Sequence, residues 1–92
     1  MGKVNYDELP EGLRDGVKRY IENGIPPGGF LTAVIQNDLT ESFARADENN
    51  IRRMFDIVKW FYNEAPRDCW GSKEAMEHWV SSFYDKGDNK NG

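Results

Sequence analysis

The chain has 92 residues, 38% hydrophobic, 30% charged and 13% aromatic, with a formal net charge of −4. That length holds one core and excludes a second domain, and so small a core makes assembly with a copy of itself or with a partner an expectation. Acidic and basic residues are interspersed, which disfavours nucleic-acid binding, a function that needs concentrated lysine and arginine; no sequence-specific nucleic-acid partner is expected.

Helices are predicted in series. Pro10 is tolerated in a first helical turn and Gly24 suits a left-handed helix end, so the first helix is expected from about Pro10 to Asn23, burying Leu13, Val17, Tyr20 and Ile21. Gly12 and Gly16 lie one turn apart beside that stripe and cost about 1 kcal/mol each relative to alanine. Either another backbone passes close to them or this is a weak surface helix. After NGIPPGGFL the next helix begins near Gly29 or Phe30. Asp38 and Glu41 have capping-box spacing, so it is expected to break at Asn37-Asp38 and restart, one continuous helix being the alternative. Asp47 caps a third segment that runs to about Asn63 and is stopped by Pro66. PRDCWGS reads as loop, Ser72 as a cap, and Met76, Trp79, Val80 and Phe83 as the stripe of a last helix ending at Gly87. Residues 1–87 then form a single domain, and the tail from Asp88 to Gly92 is expected to be mobile. Without period-two alternation the fold class is all-α, a compact bundle of four to five short helices.

Three places are candidates for function. In the third segment, stepping about 100° per residue puts Ile51, Met54, Phe55, Val58, Phe61 and Tyr62 on one broad face, with Ile57 at its edge. Trp60 then falls in the polar arc of Arg53, Asp56, Asn63 and Glu64. An indole there is covered by a tail or loop, or anchors an interface. The interface is favoured, because tryptophan dominates binding energy in interfaces and the small core gains from assembly; self-association through Trp60 is expected. The second place is the corner. Pro26 and Pro27 fix an extended approach, and Gly28 or Gly29 takes positive φ so that Phe30 enters the next helix pointing inward. This favours a structural corner. The alternative is an anion site on the first helical amides, with Arg45, Arg52 or Arg53 supplying the cation. No GxxxxGK[ST], and no GxGxxG after a strand, supports the usual nucleotide-binding modes. The third place is polar: Asn37-Asp38, Asn63-Glu64-Ala65-Pro66 and Cys69-Trp70-Gly71-Ser72 each serve as cap or turn, or together with the corner line one pocket in which Trp70 stacks on a base and Asn37 hydrogen-bonds it.

Nothing marks a pair of carboxylates as catalytic, and the chain is not read as an enzyme. A nucleophilic Cys69-His78 pair is disfavoured against a half-buried thiol and a surface imidazole. One cysteine excludes an internal disulfide, and one cysteine with one histidine cannot supply the usual four zinc ligands, so no cofactor is expected. No apolar run approaches the ~20 residues of a membrane span, and MGKVNYDELP lacks the apolar centre of a signal peptide; a cytoplasmic location is expected.

Taken together, GIPPGGFL, NDL, RAD, YNEAP and CWGS, spread from about Leu9 to Val80, resemble a group of short uncharacterised phage and prophage accessory proteins. The resemblance brings no catalytic residue. It implies a context, the host cytoplasm, in which such proteins block host defences by binding a host protein or by sequestering a small nucleotide. The expectation is a binding protein that acts by occlusion, as a homo-oligomer; a structural or self-association module without inhibitory role is the alternative.

Overall fold

A computed structural model describes residues 4–91, and the side chains of residues 4–84. Six α-helices follow one another: α1 (Glu11–Asn23), α2 (Gly29–Ile35), α3 (Leu39–Arg45), α4 (Glu48–Arg52), α5 (Met54–Glu64) and α6 (Lys73–Asn91), with a 3-10 turn at Arg67–Cys69 before α6. No strand occurs among the described residues, and the architecture is the all-α bundle that the sequence predicts.

Local chemistry sets the boundaries. Gly24 closes α1 in the left-handed region at φ 69°, its N–H donating to the Tyr20 carbonyl at 2.9 Å. The predicted break between α2 and α3 is a Schellman turn. Asn37 sits at φ 61°, the Asn37 N–H donates to Val34 O at 3.0 Å, and the Asp38 N–H to Ala33 O at 2.9 Å. Asp38 then caps α3 by accepting from the Glu41 N–H, Asp47 caps α4 by accepting from the Asn50 N–H, and Ser72 accepts from the Ala75 N–H at the start of α6.

Among the described residues there are six helices rather than four or five because the third expected segment is two. Arg53, at φ −101° and ψ 10°, separates α4 from α5 without a proline or glycine. The ladder survives on both sides, Arg53 N–H to Asn49 O and Ile57 N–H to Arg53 O, so the break is an offset that resets the helical phase. The last helix also differs from expectation. It passes Gly87 and runs to Asn91, since one interior glycine weakens a helix without ending it. Of the expected tail only Gly92, and at the other end residues 1–3, lie outside the described residues.

The core joins Val17, Tyr20 and Ile21 of α1 to Leu31, Val34 and Ile35 of α2, Met54, Ile57, Trp60 and Phe61 of α5, Cys69, and Met76 of α6. Tyr20 is fully buried and serves twice: its hydroxyl donates to the Cys69 carbonyl at 2.7 Å, and its own carbonyl accepts from Trp79 Nε1 at 3.2 Å. One residue thus ties α1 to the 3-10 turn and to α6. An N-terminal strap closes the other side, with Leu9 1% exposed and Arg14 holding the Leu9 and Asp7 carbonyls at 3.0 and 2.7 Å. Gly16 makes only an ordinary contact with Leu31, and a β-carbon at Gly12 would meet nothing, so no second backbone presses on these glycines.

Candidate functional site

Helix α5 is apolar nearly all round: seven of its eleven residues, in MFDIVKWFYNE, are hydrophobic. One side is core, made by Met54, Ile57, Trp60 and Phe61. This overturns the expected exposure of Trp60, which is 2% exposed and is no interface anchor. The N-terminal strap covers it: the indole Nε1 donates to the Asn5 carbonyl at 2.7 Å, and the Tyr6 ring stacks on it with centroids 5.6 Å apart. Phe61 meets its other edge at 5.2 Å. The Tyr6 hydroxyl donates to Glu22 Oε2 at 3.2 Å, and burial, then the Glu22 charge, push its pKa above the usual tyrosine range. The strap was invisible to helical geometry because its residues lie fifty-five positions away.

The residues that the sequence assigned to the core face divide instead. Phe55 is 75% exposed and Tyr62 79%, and Val58 between them and Ile51 on α4 are also exposed. Phe55, Val58 and Tyr62 follow one another at helical spacing and form a ridge about 10 Å long. Bare phenylalanine and tyrosine side chains present roughly 150–250 Å² each, so with Val58 the ridge offers roughly 350 Å², the size of the largest patches on monomeric proteins. The buried side of the same helix holds these groups in place, which lowers the entropy lost on docking. Lys59 lies alongside, its ammonium 5.9 Å from the Phe55 ring centroid.

Tyr62 also opens onto a groove of about 570 Å³, lined by Tyr62, Ala65, Arg67, Trp70 and Gly71. Trp70 is half-buried, tilted against Phe61 at 5.5 Å. The loop behind it is fixed by Gly71, whose φ of 111° excludes a side chain and whose N–H donates to Ile35 O at 2.8 Å. Trp70, expected to stack on a base, therefore lines a groove with Tyr62 and Arg67, and not with Asn37 or the corner.

The corner is a separate place. Gly28 is extended (φ −68°, ψ 179°) and neither Gly28 nor Gly29 takes positive φ, contrary to expectation; the turn is made by the two prolines and by Gly24 before them. Phe30 is half-buried and packs on the core, as expected. Arg45 does reach the corner: a β-carbon on Gly29 would lie 3.0 Å from its Nη1. Its Nε, however, donates to Glu41 at 3.1 Å, and Asp38 and Glu41 line the same groove, so the charge there does not select an anion. Arg53 is likewise occupied, by Asp56 at 3.0 Å. Asn37 and Asp38 are accounted for by the turn and the cap. The single pocket that would gather the corner, Asn37 and Trp70 does not form.

Cys69 is fully buried, and burial, opposed in part by a backbone hydrogen bond, pushes its thiol up to about 12; this is the reverse of an activated nucleophile. His78 is exposed on α6 in a groove with Arg67, Glu74, Trp79 and Ser82, where the Ser82 hydroxyl donates to the Trp79 carbonyl at 2.7 Å. Among the described residues no cluster of three metal-ligating side chains occurs, and no helix is long and apolar enough to cross a membrane. No protein-family model, no curated protein and no solved structure matches the chain.

Proposed function

We propose that this chain is a non-enzymatic binding protein whose working surface is the α5 ridge, and that it acts by occluding the surface of a partner protein. The observation that carries this is the pair of aromatic rings, Phe55 and Tyr62, held three-quarters exposed on a helix whose opposite side is core. Rigid aromatic groups flanked by cations are the residues that dominate binding energy at protein interfaces. On the resemblance to phage accessory proteins, the partner is a protein of the host and the outcome is inhibition of a defence function in its cytoplasm.

Photo-crosslinking from position 55 or 62 in host cells tests the reading. One partner should be captured from both positions and not from Lys18, and the double variant Phe55→Ser/Tyr62→Ser should lose it while melting like wild type. Equal capture from Lys18 would sink the proposal. Two other readings have their own support. Tyr62, Trp70 and Arg67 around one groove suit a base and a phosphate, so a nucleotide that raises the melting temperature of wild type, and not of Arg67→Ala, would favour sequestration. A second exposed apolar pair, Leu39 and Phe43 on α3, supports a self-association module.

A further inference from the structure

Two exposed apolar patches lie on different helices, and their charges are opposite. On α3, Leu39 is 68% and Phe43 44% exposed, one turn apart and therefore on one side of the helix. From residue 38 to 48 the chain carries Asp38, Glu41, Asp47 and Glu48 against Arg45 alone. From 52 to 67 the balance reverses, with Arg52, Arg53, Lys59 and Arg67 against Asp56 and Glu64. The ion pairs sharpen this contrast. Arg45 and Arg53 are paired, whereas Arg52, Lys59 and Arg67 are exposed and have no ion-pair partner among the described residues. Lys59 lies beside the ridge, its ammonium 5.9 Å from the Phe55 ring centroid, and Arg67 borders the groove at its Tyr62 end.

We infer that the ridge also receives the α3 patch of a second copy, so that the chain self-associates head to tail, Leu39 and Phe43 of one copy seating against Phe55, Val58 and Tyr62 of the next. The acidic surroundings of α3 then meet the unpaired Lys59 and Arg67. Such a contact is heterologous: the pair of copies keeps one free patch of each kind, and growth continues until a ring closes or material runs out. The apolar area is small for a permanent interface, which makes the assembly weak and reversible. Because one ridge cannot hold two occupants, self-association and partner binding compete. The inference rests on reading the ridge as a docking surface.

Sedimentation equilibrium of the full chain and two double variants tests it. Variant one, Phe55→Ser/Tyr62→Ser, keeps the α3 patch; variant two, Leu39→Ser/Phe43→Ser, keeps the ridge. All four positions are exposed, so both variants should melt like wild type. The average mass of wild type should rise with concentration, each variant alone should stay monomeric, and an equal mixture should form dimers and nothing larger. A third variant, Lys59→Glu/Arg67→Glu, should weaken association about tenfold at low salt. If wild type associates and variant one associates equally, the copies do not meet through the ridge and the inference fails, while the function proposed for the ridge stands or falls on the crosslinking test. If only variant one loses association, or the mixture does not pair, the ridge docks but α3 is not its occupant. Wild type that stays monomeric at millimolar concentration overturns the inference and leaves the ridge to the crosslinking test.

Discussion

Replacing Trp60 with alanine separates the two sides of α5 by energy. The indole is 2% exposed, donates one hydrogen bond to the strap and touches two rings. Truncating a buried tryptophan costs about 3–5 kcal/mol in transfer and cavity, and the hydrogen bond and Tyr6 stacking overlap with that figure, so about 4 kcal/mol is expected. A domain of this length has roughly 5–14 kcal/mol in total. With a urea dependence of about 1.5 kcal/mol per molar, the midpoint should fall by between about 2 and 3 M. Phe55→Ala, on an exposed ring of similar chemistry five residues earlier, should stay within about 0.5 kcal/mol of wild type. Equilibrium urea unfolding, read by circular dichroism, gives both numbers. If Trp60→Ala unfolds at the wild-type midpoint while Phe55→Ala does not, the assignment of buried and exposed sides is reversed.

Gly24→Ala should cost about 2–3 kcal/mol, since the left-handed φ strains any side chain and the added carbon would lie 2.9 Å from Phe83 Cβ, which only movement of α6 relieves; an unchanged melting temperature would contradict that close approach. Asp47→Ala should cost about 1 kcal/mol through the lost cap of α4, measurable by the same unfolding curve, and Asp47→Asn should recover most of it. Cys69 should resist a thiol reagent in the folded chain and react at once in denaturant; fast labelling of native protein would mean the core opens there. Folding also keeps the Cys69 and Tyr20 protons on to higher pH than the unfolded chain does. Stability should therefore be level in their account below about pH 8 and fall between about 9 and 12, by up to ~1.4 kcal/mol per pH unit for each group, and less steeply in Cys69→Ser.

Those parts of the fold set by near neighbours were legible in the sequence. Pro10, Gly24, Asp38, Asp47 and Ser72 each act through bonds to residues within a turn or so, and each marks the helix end expected of it. The offset at Arg53 carries no such mark, because no residue there is unfit for a helix. The site was harder for a related reason. With apolar residues on most sides of α5, periodicity offered two competing stripes, and the choice between them was made by a strap remote in sequence. Seven apolar residues in eleven were nevertheless a signal, being more than one buried side needs. At the corner, Arg45 is the one of three candidate arginines that reaches Gly29, whereas Asp38 and Glu41, which share its groove, were legible only as a capping box.

The three bonds that fasten the molecule shut, Asn5 to Trp60, Tyr20 to Cys69 and Trp79 to Tyr20, span 55, 49 and 59 positions. A ribosome adding about 5–20 residues per second makes the early partner of each wait between roughly 2 and 12 s for the later one. Through that interval α1 has no Cys69 carbonyl to hold and the strap has no indole to cover, although the turns between α2 and α4 are complete. Maturation of this domain is thus a late event, gated by emergence of its last third, and until then Tyr6, Leu9 and Tyr20 travel as uncovered side chains that a chaperone can grip.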